Sequence, residues 1–145
     1  MSGTELLLRL AAATLAGAAL GLDREAHQKS AGLRTLALVG LASAIFMVAG
    51  LAHEGTGEVD PLRVVQGIVT GVGFLGAGTI LQKEDEAAVL GLTTAATIWI
   101  DAALGVAFAM GLWATGIIGL GLALLVLVGG RWVERHLRRG LGTER

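Results

Sequence analysis

The sequence has no cysteine, a single proline and few charged residues, and these shortages narrow the class of protein. Without cysteine no disulfide scaffold can form. Charged residues make up 16% of the chain and hydrophobic residues 54%, which is far from the composition of a soluble domain. The net charge of -1 shows no basic excess, which argues against a nucleic-acid binder.

Apolar residues and glycine dominate what is present. The mean hydropathy is +0.72, and the 145 residues include 23 glycines. Glycine is commoner in membrane helices than in soluble ones because it lets helix backbones approach closely. The composition therefore predicts an all-α, polytopic membrane protein in the lipid bilayer.

Long uncharged runs separate short clusters of charge along the whole chain. A helix needs about 20 apolar residues to cross a bilayer. The run from 87 to 130 would extend about 65 Å as one helix, so it must fold back, and Gly111 before Trp113 is the expected break. Five spans are predicted, at residues 5–22, 35–53, 61–82, 87–110 and 112–130, followed by a short basic tail at 131–145.

The basic residues predict the orientation of these spans. With five spans, nine of the eleven lysines and arginines fall on one side: Arg24, Lys29, Arg34, Lys83, Arg131, Arg135, Arg138, Arg139 and Arg145. Only Arg9 and Arg63 remain for the other side. Basic loops stay cytoplasmic, so we expect the N-terminus outside and the C-terminus in the cytoplasm.

A cleavable signal peptide is an alternative interpretation of the first span, because Ala16, Gly17 and Ala18 are small residues of the kind a signal peptidase accepts. No basic segment precedes the apolar run, however, and its removal would leave four spans and spoil the charge asymmetry.

Asp101 lies near the middle of the fourth predicted span, where an aspartate costs about 2.5 to 3.5 kcal/mol. Thr97, Thr94 and Thr93 precede it at helical spacing, so their hydroxyls share its face. Thr70, in the third span, is assigned to the same predicted polar cavity. The cavity is interpreted either as a cation or proton site or as a structural hydrogen-bonded cluster.

Arg9 is the basic residue drawn furthest into a predicted span. In the five-span arrangement it differs in depth from Asp101 by only about 5 Å, so the two could form an ion pair. Such a pair would favour the structural interpretation of Asp101, because it would hold two helices together.

Glycines recur along the third span, at Gly67, Gly71, Gly73, Gly76 and Gly78. Residues 71–76 match the letters of a dinucleotide fingerprint, but they lie inside an uncharged run and lack the required strand and helix start. Close helix packing is the favoured interpretation. The alternative is a broken helix whose free carbonyls line an ion site.

An acidic cluster, Glu84, Asp85 and Glu86, precedes the fourth span. The three acids suit the positive end of a helix dipole and are also weak candidates for a Mg²⁺ site. No cofactor is predicted beyond this Mg²⁺. No nucleophile and base can be combined, so the chain is not expected to be an enzyme.

Several motifs together resemble the membrane domain of the MgtC/SapB family. They are residues 21–25 (GLDRE), 31–35 (AGLRT), 60–63 (DPLR), the run 71–81 and residues 91–99 (GLTTAATIW). The resemblance implies a bacterial inner-membrane protein linked to growth at low magnesium, to virulence and to inhibition of the F-type ATP synthase; a transport role has also been suggested. Many members carry a soluble cytoplasmic domain that this sequence does not include.

The resemblance also marks charged residues at the cytoplasmic ends of the first two spans. With Arg9 they form a predicted charge clamp or partner surface: Asp23, Arg24, Glu25 and Arg34. The predicted function is a homo-oligomeric, non-enzymatic modulator of ion or energy balance, acting on another membrane protein. The alternative is a small cation transporter that uses Asp101.

Overall fold

The computed structural model describes residues 1–52, 60–82 and 89–140. Within these ranges the chain forms α1 (Gly3–Ala26), α2 (Leu33–Ala52), α3 (Pro61–Gly78), α4 (Leu92–Ala109) and α5 (Trp113–Gly140). Between α3 and α4, the short strand β1 (Leu81–Gln82) pairs antiparallel with β2 (Val89–Leu90). The predicted all-α, polytopic membrane bundle is confirmed, with this two-residue pairing as an addition.

Local sequence explains several helix ends. Ser2 Oγ accepts a hydrogen bond from Glu5 N at 3.2 Å and caps α1. Asp60 caps α3 in the same way, accepting from Leu62 N at 2.9 Å, and Pro61 follows at the first helical position. The α4–α5 turn lies at Gly111, where φ is +74°.

The third and fourth helices are shorter than the predicted spans 61–82 and 87–110. α3 ends at Gly78 and α4 begins at Leu92. Between them Gly91 has a φ of +91°, and a Cβ there would lie 1.9 Å from Thr79 O. Only glycine fits this left-handed turn, and α4 begins directly after it at Leu92. The uncharged runs on either side of the break extend beyond the ends of both helices, so apolar length alone does not show where α3 ends and α4 begins.

The fifth helix does not stop at residue 130. It continues to Gly140, so the first ten residues of the predicted tail prolong α5. Arg131 forms an ion pair with Asp23 of α1, which fixes this extension against the bundle.

Among the described residues, four helices, α1, α2, α4 and α5, are long and apolar enough to cross a membrane by length and composition. The Asp23–Arg131 contact places the C-terminal ends of the α1 and α5 spans on one side. If α2, α4 and α5 all cross the membrane, the chain returns to that side only if α3 crosses as well, so five spans stay a prediction. Which side is cytoplasmic remains a prediction.

α4 is the central helix of the bundle and contacts each of the other four. In its spanning window 61% of the residues are buried, against 11% in α5. Its neighbours α1 and α2 pack on it and on each other, and these three helices enclose the core.

Glycines allow the backbones of these three helices to touch. A Cβ at Gly17 would lie 2.4 Å from Leu36 O, and one at Gly40 would lie 2.8 Å from Ala13 O. On α4, a Cβ at Gly105 would lie 2.5 Å from Gly40 O. Since backbone atoms cannot swing aside as side chains can, any larger residue would push the helices apart.

The glycines predicted to pack in the third span behave differently. At Gly67, Gly71 and Gly78 an added Cβ would meet no atom within 4 Å, and at Gly73 it would only touch Trp99 at 3.8 Å. Gly76 makes the closest contact, 3.5 Å to the Cβ of Ala95. Within one chain, Gly67, Gly71 and Gly78 therefore make no close contact with the described residues, because α3 meets α4 near Gly76. Packing of these glycines against a second chain stays a prediction.

Candidate functional site

Asp101 lies at the centre of the bundle. Its side chain has no exposed surface, and neither carboxyl oxygen has a hydrogen-bond partner in the described part of the chain. A Cβ at Gly17 would lie 2.7 Å from Asp101 Oδ1, and one at Gly40 would lie 3.0 Å from it. Glycines of α1 and α2 thus leave the space that the carboxyl group fills. A buried carboxyl without a partner is rare and marks a candidate functional site.

The threonines of α4 do not turn toward this carboxyl group as hydrogen-bond partners. Thr97 is buried, but its hydroxyl donates to Thr93 O at 2.7 Å, within its own helix. Thr94 is also buried, and its hydroxyl accepts from Arg24 Nη2 at 2.5 Å. Thr93 itself is exposed. The predicted threonine stripe therefore does not form around Asp101, because the hydroxyls of Thr94 and Thr97 bind other groups and Thr93 is exposed.

Thr70 does not contribute to the predicted cavity. It is exposed on α3, and its hydroxyl donates to Gln66 O at 2.8 Å. Among the described residues no group of three or more histidine, cysteine, aspartate or glutamate side chains could hold a metal ion. The weak Mg²⁺ candidates Glu84, Asp85 and Glu86 lie outside the described residues.

Arg9 does not pair with Asp101, so that expectation is wrong. Its Nη1 donates to Ala109 O at 2.6 Å and its Nη2 to Glu5 Oε1 at 2.5 Å. α4 covers residues 92–109, so Asp101 lies at mid-helix while Arg9 binds the last carbonyl. The two sites are about 12 Å apart along the helix, at 1.5 Å per residue. A cation at a helix C-terminus satisfies a free carbonyl and the helix dipole.

Two residues of the predicted charge clamp join α1 to other helices. Arg24 is buried, with 3% of its surface exposed, and binds Thr94 in the first turn of α4. Asp23 receives two hydrogen bonds from Arg131 of α5, that from Nη1 at 2.6 Å. These contacts hold α1, α4 and α5 together at one end of the bundle. Sequence reasoning missed Arg131 as a partner because it was assigned to a separate tail.

The other two clamp residues belong to the α1–α2 connection. Glu25 Oε2 accepts from Leu33 N at 2.9 Å and so caps the start of α2. Arg34 is exposed, and its side chain lies at the end of a groove between α2 and α3.

The sequence over residues 10–136 matches the protein-family model of the MgtC family. The chain belongs to the MgtC family. Protein SrpB of Synechococcus elongatus is 44% identical over 140 residues, covering 90% of this chain and 77% of that protein. The putative magnesium transporter YhiD of Escherichia coli K12 is 42% identical, covering 85% of this chain and 59% of YhiD.

Protein MgtC of Salmonella typhimurium LT2 is 43% identical over 105 residues, covering 72% of this chain and 43% of that protein. The chain thus spans about half the length of YhiD and MgtC. No solved structure matches the sequence. The resemblance to the family's membrane domain is confirmed.

The glycine contacts around Asp101 were not anticipated in this MgtC-family chain. Ala13, Gly17 and Gly21 recur every four residues on α1, and this small-residue spacing is a signal for close packing. In the third span the same spacing is accompanied by more glycines, which gives a stronger signal.

Proposed function

We propose that this MgtC-family chain is a non-enzymatic protein of the bacterial inner membrane that influences magnesium or energy balance by binding another membrane protein. The observation that carries the proposal is the enclosure of Asp101, which has no exposed surface and lies against the glycines of two neighbouring helices. A carboxyl group that conducts ions needs a water-filled approach.

For Mg²⁺, a path to Asp101 would need room for the bound waters as well as for the ion. Mg²⁺ holds six oxygen ligands in near-octahedral geometry and gives up its waters reluctantly. Beside Asp101, a single added carbon at Gly17 or Gly40 would already lie within 3.0 Å of the carboxyl oxygen. On the sides of Gly17 and Gly40, the space beside the carboxyl group is therefore too small for a hydrated divalent ion.

Charge at the start of α4 also opposes the approach of a cation. Arg24 binds the first turn of the helix through Thr94, and Arg9 binds its last carbonyl at Ala109. A cation moving along α4 toward Asp101 from its first turn would meet the guanidinium group of Arg24, and like charges repel. At the other end, the charge of Arg9 is balanced by Glu5. This arrangement supports a binding role over a conducting one.

The family resemblance makes the F-type ATP synthase the first partner to test. The experiment incorporates the synthase into liposomes with increasing amounts of the purified chain and follows ATP-driven proton pumping with a pH-sensitive dye. We expect pumping to fall as the chain is added. Asp101→Asn should act like the parent chain, because the enclosed carboxyl group has no exposed surface to offer the synthase. Unchanged pumping at a several-fold molar excess would contradict this partner.

A second candidate function, cation transport through Asp101, is favoured by the absence of any hydrogen-bond partner for its carboxyl oxygens among the described residues. The name of the relative YhiD, a putative magnesium transporter, points the same way. Asn has nearly the volume of Asp but no charge, so Asp101→Asn separates the two functions. A transporter would lose ion flux in this variant, while the binding function would persist.

A further inference from the structure

Two adjoining cavities lie at the start of α2. A groove of about 930 Å³ runs between α2 and α3, and Arg34 and Thr35 form one end of it. A second cavity of about 410 Å³ lies in the α1–α2 connection and is also lined by Arg34 and Thr35. The two cavities therefore meet at these side chains, with a polar space on one side and an apolar groove on the other.

We propose that the two cavities form one binding site for an anionic phospholipid. The phosphate group binds beside Lys29 and Arg34, and one acyl chain lies in the groove between α2 and α3. This site is separate from Asp101, and it does not depend on the proposed partner-binding function.

Charge complementarity supports the head-group position. Lys29 and Arg34 both line the polar cavity, both are exposed, and neither has an ion pair within the described chain. The one acid that lines the cavity, Glu25, directs a carboxyl oxygen to Leu33 N at 2.9 Å. Two free cations at the membrane surface attract an anionic head group.

The groove suits an acyl chain in lining and in length. Near Arg34 it is lined by Leu38, Val39 and Ala42 of α2 and by Gly71, Val72 and Leu75 of α3. Gly71 has nothing within 4 Å of a Cβ position, so the absence of a side chain there widens the groove.

The groove continues along α2 as far as Gly50. From Arg34 this is about 24 Å at 1.5 Å per residue. Half of the hydrocarbon thickness is about 15 Å, so one acyl chain fits entirely within the groove. A transmembrane helix would fill the apolar part but would leave the two cations without an anion.

The head-group prediction is tested by mass spectrometry of the intact protein released from micelles containing equal amounts of phosphatidylglycerol and phosphatidylcholine. We expect the parent chain to retain phosphatidylglycerol at least tenfold more than phosphatidylcholine. The double variant Lys29→Gln/Arg34→Gln should lose this preference. Arg135→Gln is the matched control, because Arg135 is an exposed cation at the same end of the bundle but outside both cavities.

Equal retention of the two lipids by the parent chain would overturn the proposal. So would an equal loss in Arg135→Gln, which would indicate attraction to the charged surface in general.

The groove is tested with Gly71→Leu and with Gly121→Leu as its control. Both glycines have open space at the Cβ position, but Gly121 lies on α5. We expect Gly71→Leu to reduce retained phosphatidylglycerol at least tenfold and Gly121→Leu to leave it unchanged. If Gly71→Leu instead converts a lipid-free dimer into a monomer, a second copy occupies the groove and the proposal is wrong.

A measurement on the unmodified chain removes any dependence on the folding of variants. Phosphatidylglycerol with a photoreactive acyl chain should crosslink to α2 and α3, at residues such as Leu38 and Leu75. Crosslinks spread evenly over the outer surface of α5 would overturn the assignment.

Discussion

Gly17→Ala tests the close packing that encloses Asp101. The added Cβ would lie 2.4 Å from Leu36 O and 2.7 Å from Asp101 Oδ1. Ordinary contact begins at 3.4 Å, so α1 and α2 must separate by about 1 Å. Overpacking of this kind costs about 1 to 3 kcal/mol, and the upper value applies because the nearest atom belongs to the backbone. Alanine recovers about 1 kcal/mol of helix propensity, which leaves a net loss of about 2 kcal/mol.

The matched control is Gly121→Ala on α5, where nothing lies within 4 Å of the new Cβ. It gains the same propensity without the clash, so it should raise the free energy of unfolding by up to about 1 kcal/mol. Both variants are unfolded reversibly in mixed micelles by increasing the fraction of denaturing detergent. The two substitutions should shift stability in opposite directions. If Gly17→Ala is as stable as Gly121→Ala, the helices are not in backbone contact and the reasoning is refuted.

Three further predictions concern the polar contacts between helices, and each is measured as the free energy of unfolding in the same micelles. Arg9→Gln should lose about 1 to 2 kcal/mol, because it weakens charged hydrogen bonds at the end of α4; no loss would show that the contact is not formed. A double-mutant cycle of Asp23→Asn and Arg131→Gln should give a coupling energy of about 1 kcal/mol, since the ion pair is partly exposed. Strictly additive losses would show that the two side chains do not interact. Thr94→Val should cost about 1 to 3 kcal/mol, because it removes a hydrogen-bond acceptor from a buried guanidinium group. This loss should exceed that of Thr97→Val, since the Thr97 hydroxyl binds only its own helix. Equal losses would show that the Thr94 hydroxyl does not join two helices.

The helices themselves could be predicted from the sequence because apolar length is the main requirement for crossing a bilayer. The turn at Gly111 was also expected, since one helix could not hold the whole run from 87 to 130. The pairing of β1 with β2 was not expected, because the paired residues Leu81, Gln82, Val89 and Leu90 lie within the two predicted helical spans.

The candidate site was only partly predictable. The burial of Asp101 follows from its position within an apolar run, since an aspartate that faced lipid would be costly. Its neighbours depend on how the helices are arranged, and one-dimensional spacing does not contain that information. Arg9 illustrates the difference: spacing along the chain places it at a depth similar to that of Asp101, but in the bundle its side chain reaches the terminal carbonyl of Ala109 instead.

The same limit applies to the glycines. Spacing identifies Gly67 and Gly71 and also Gly17 and Gly21 as candidates for packing, but it does not say which pair meets another helix within one chain. The structure shows close contact for the α1 pair and open space for the α3 pair.

Magnesium uptake into liposomes tests the central claim, that Asp101 is enclosed and the chain binds a partner without conducting ions. The purified chain is incorporated into liposomes that contain a magnesium-sensitive dye, and external Mg²⁺ is raised. The account predicts uptake equal to that of protein-free liposomes for the parent chain and for Asp101→Asn alike. Saturable Mg²⁺ uptake by the parent chain that disappears in Asp101→Asn would contradict it and would establish transport.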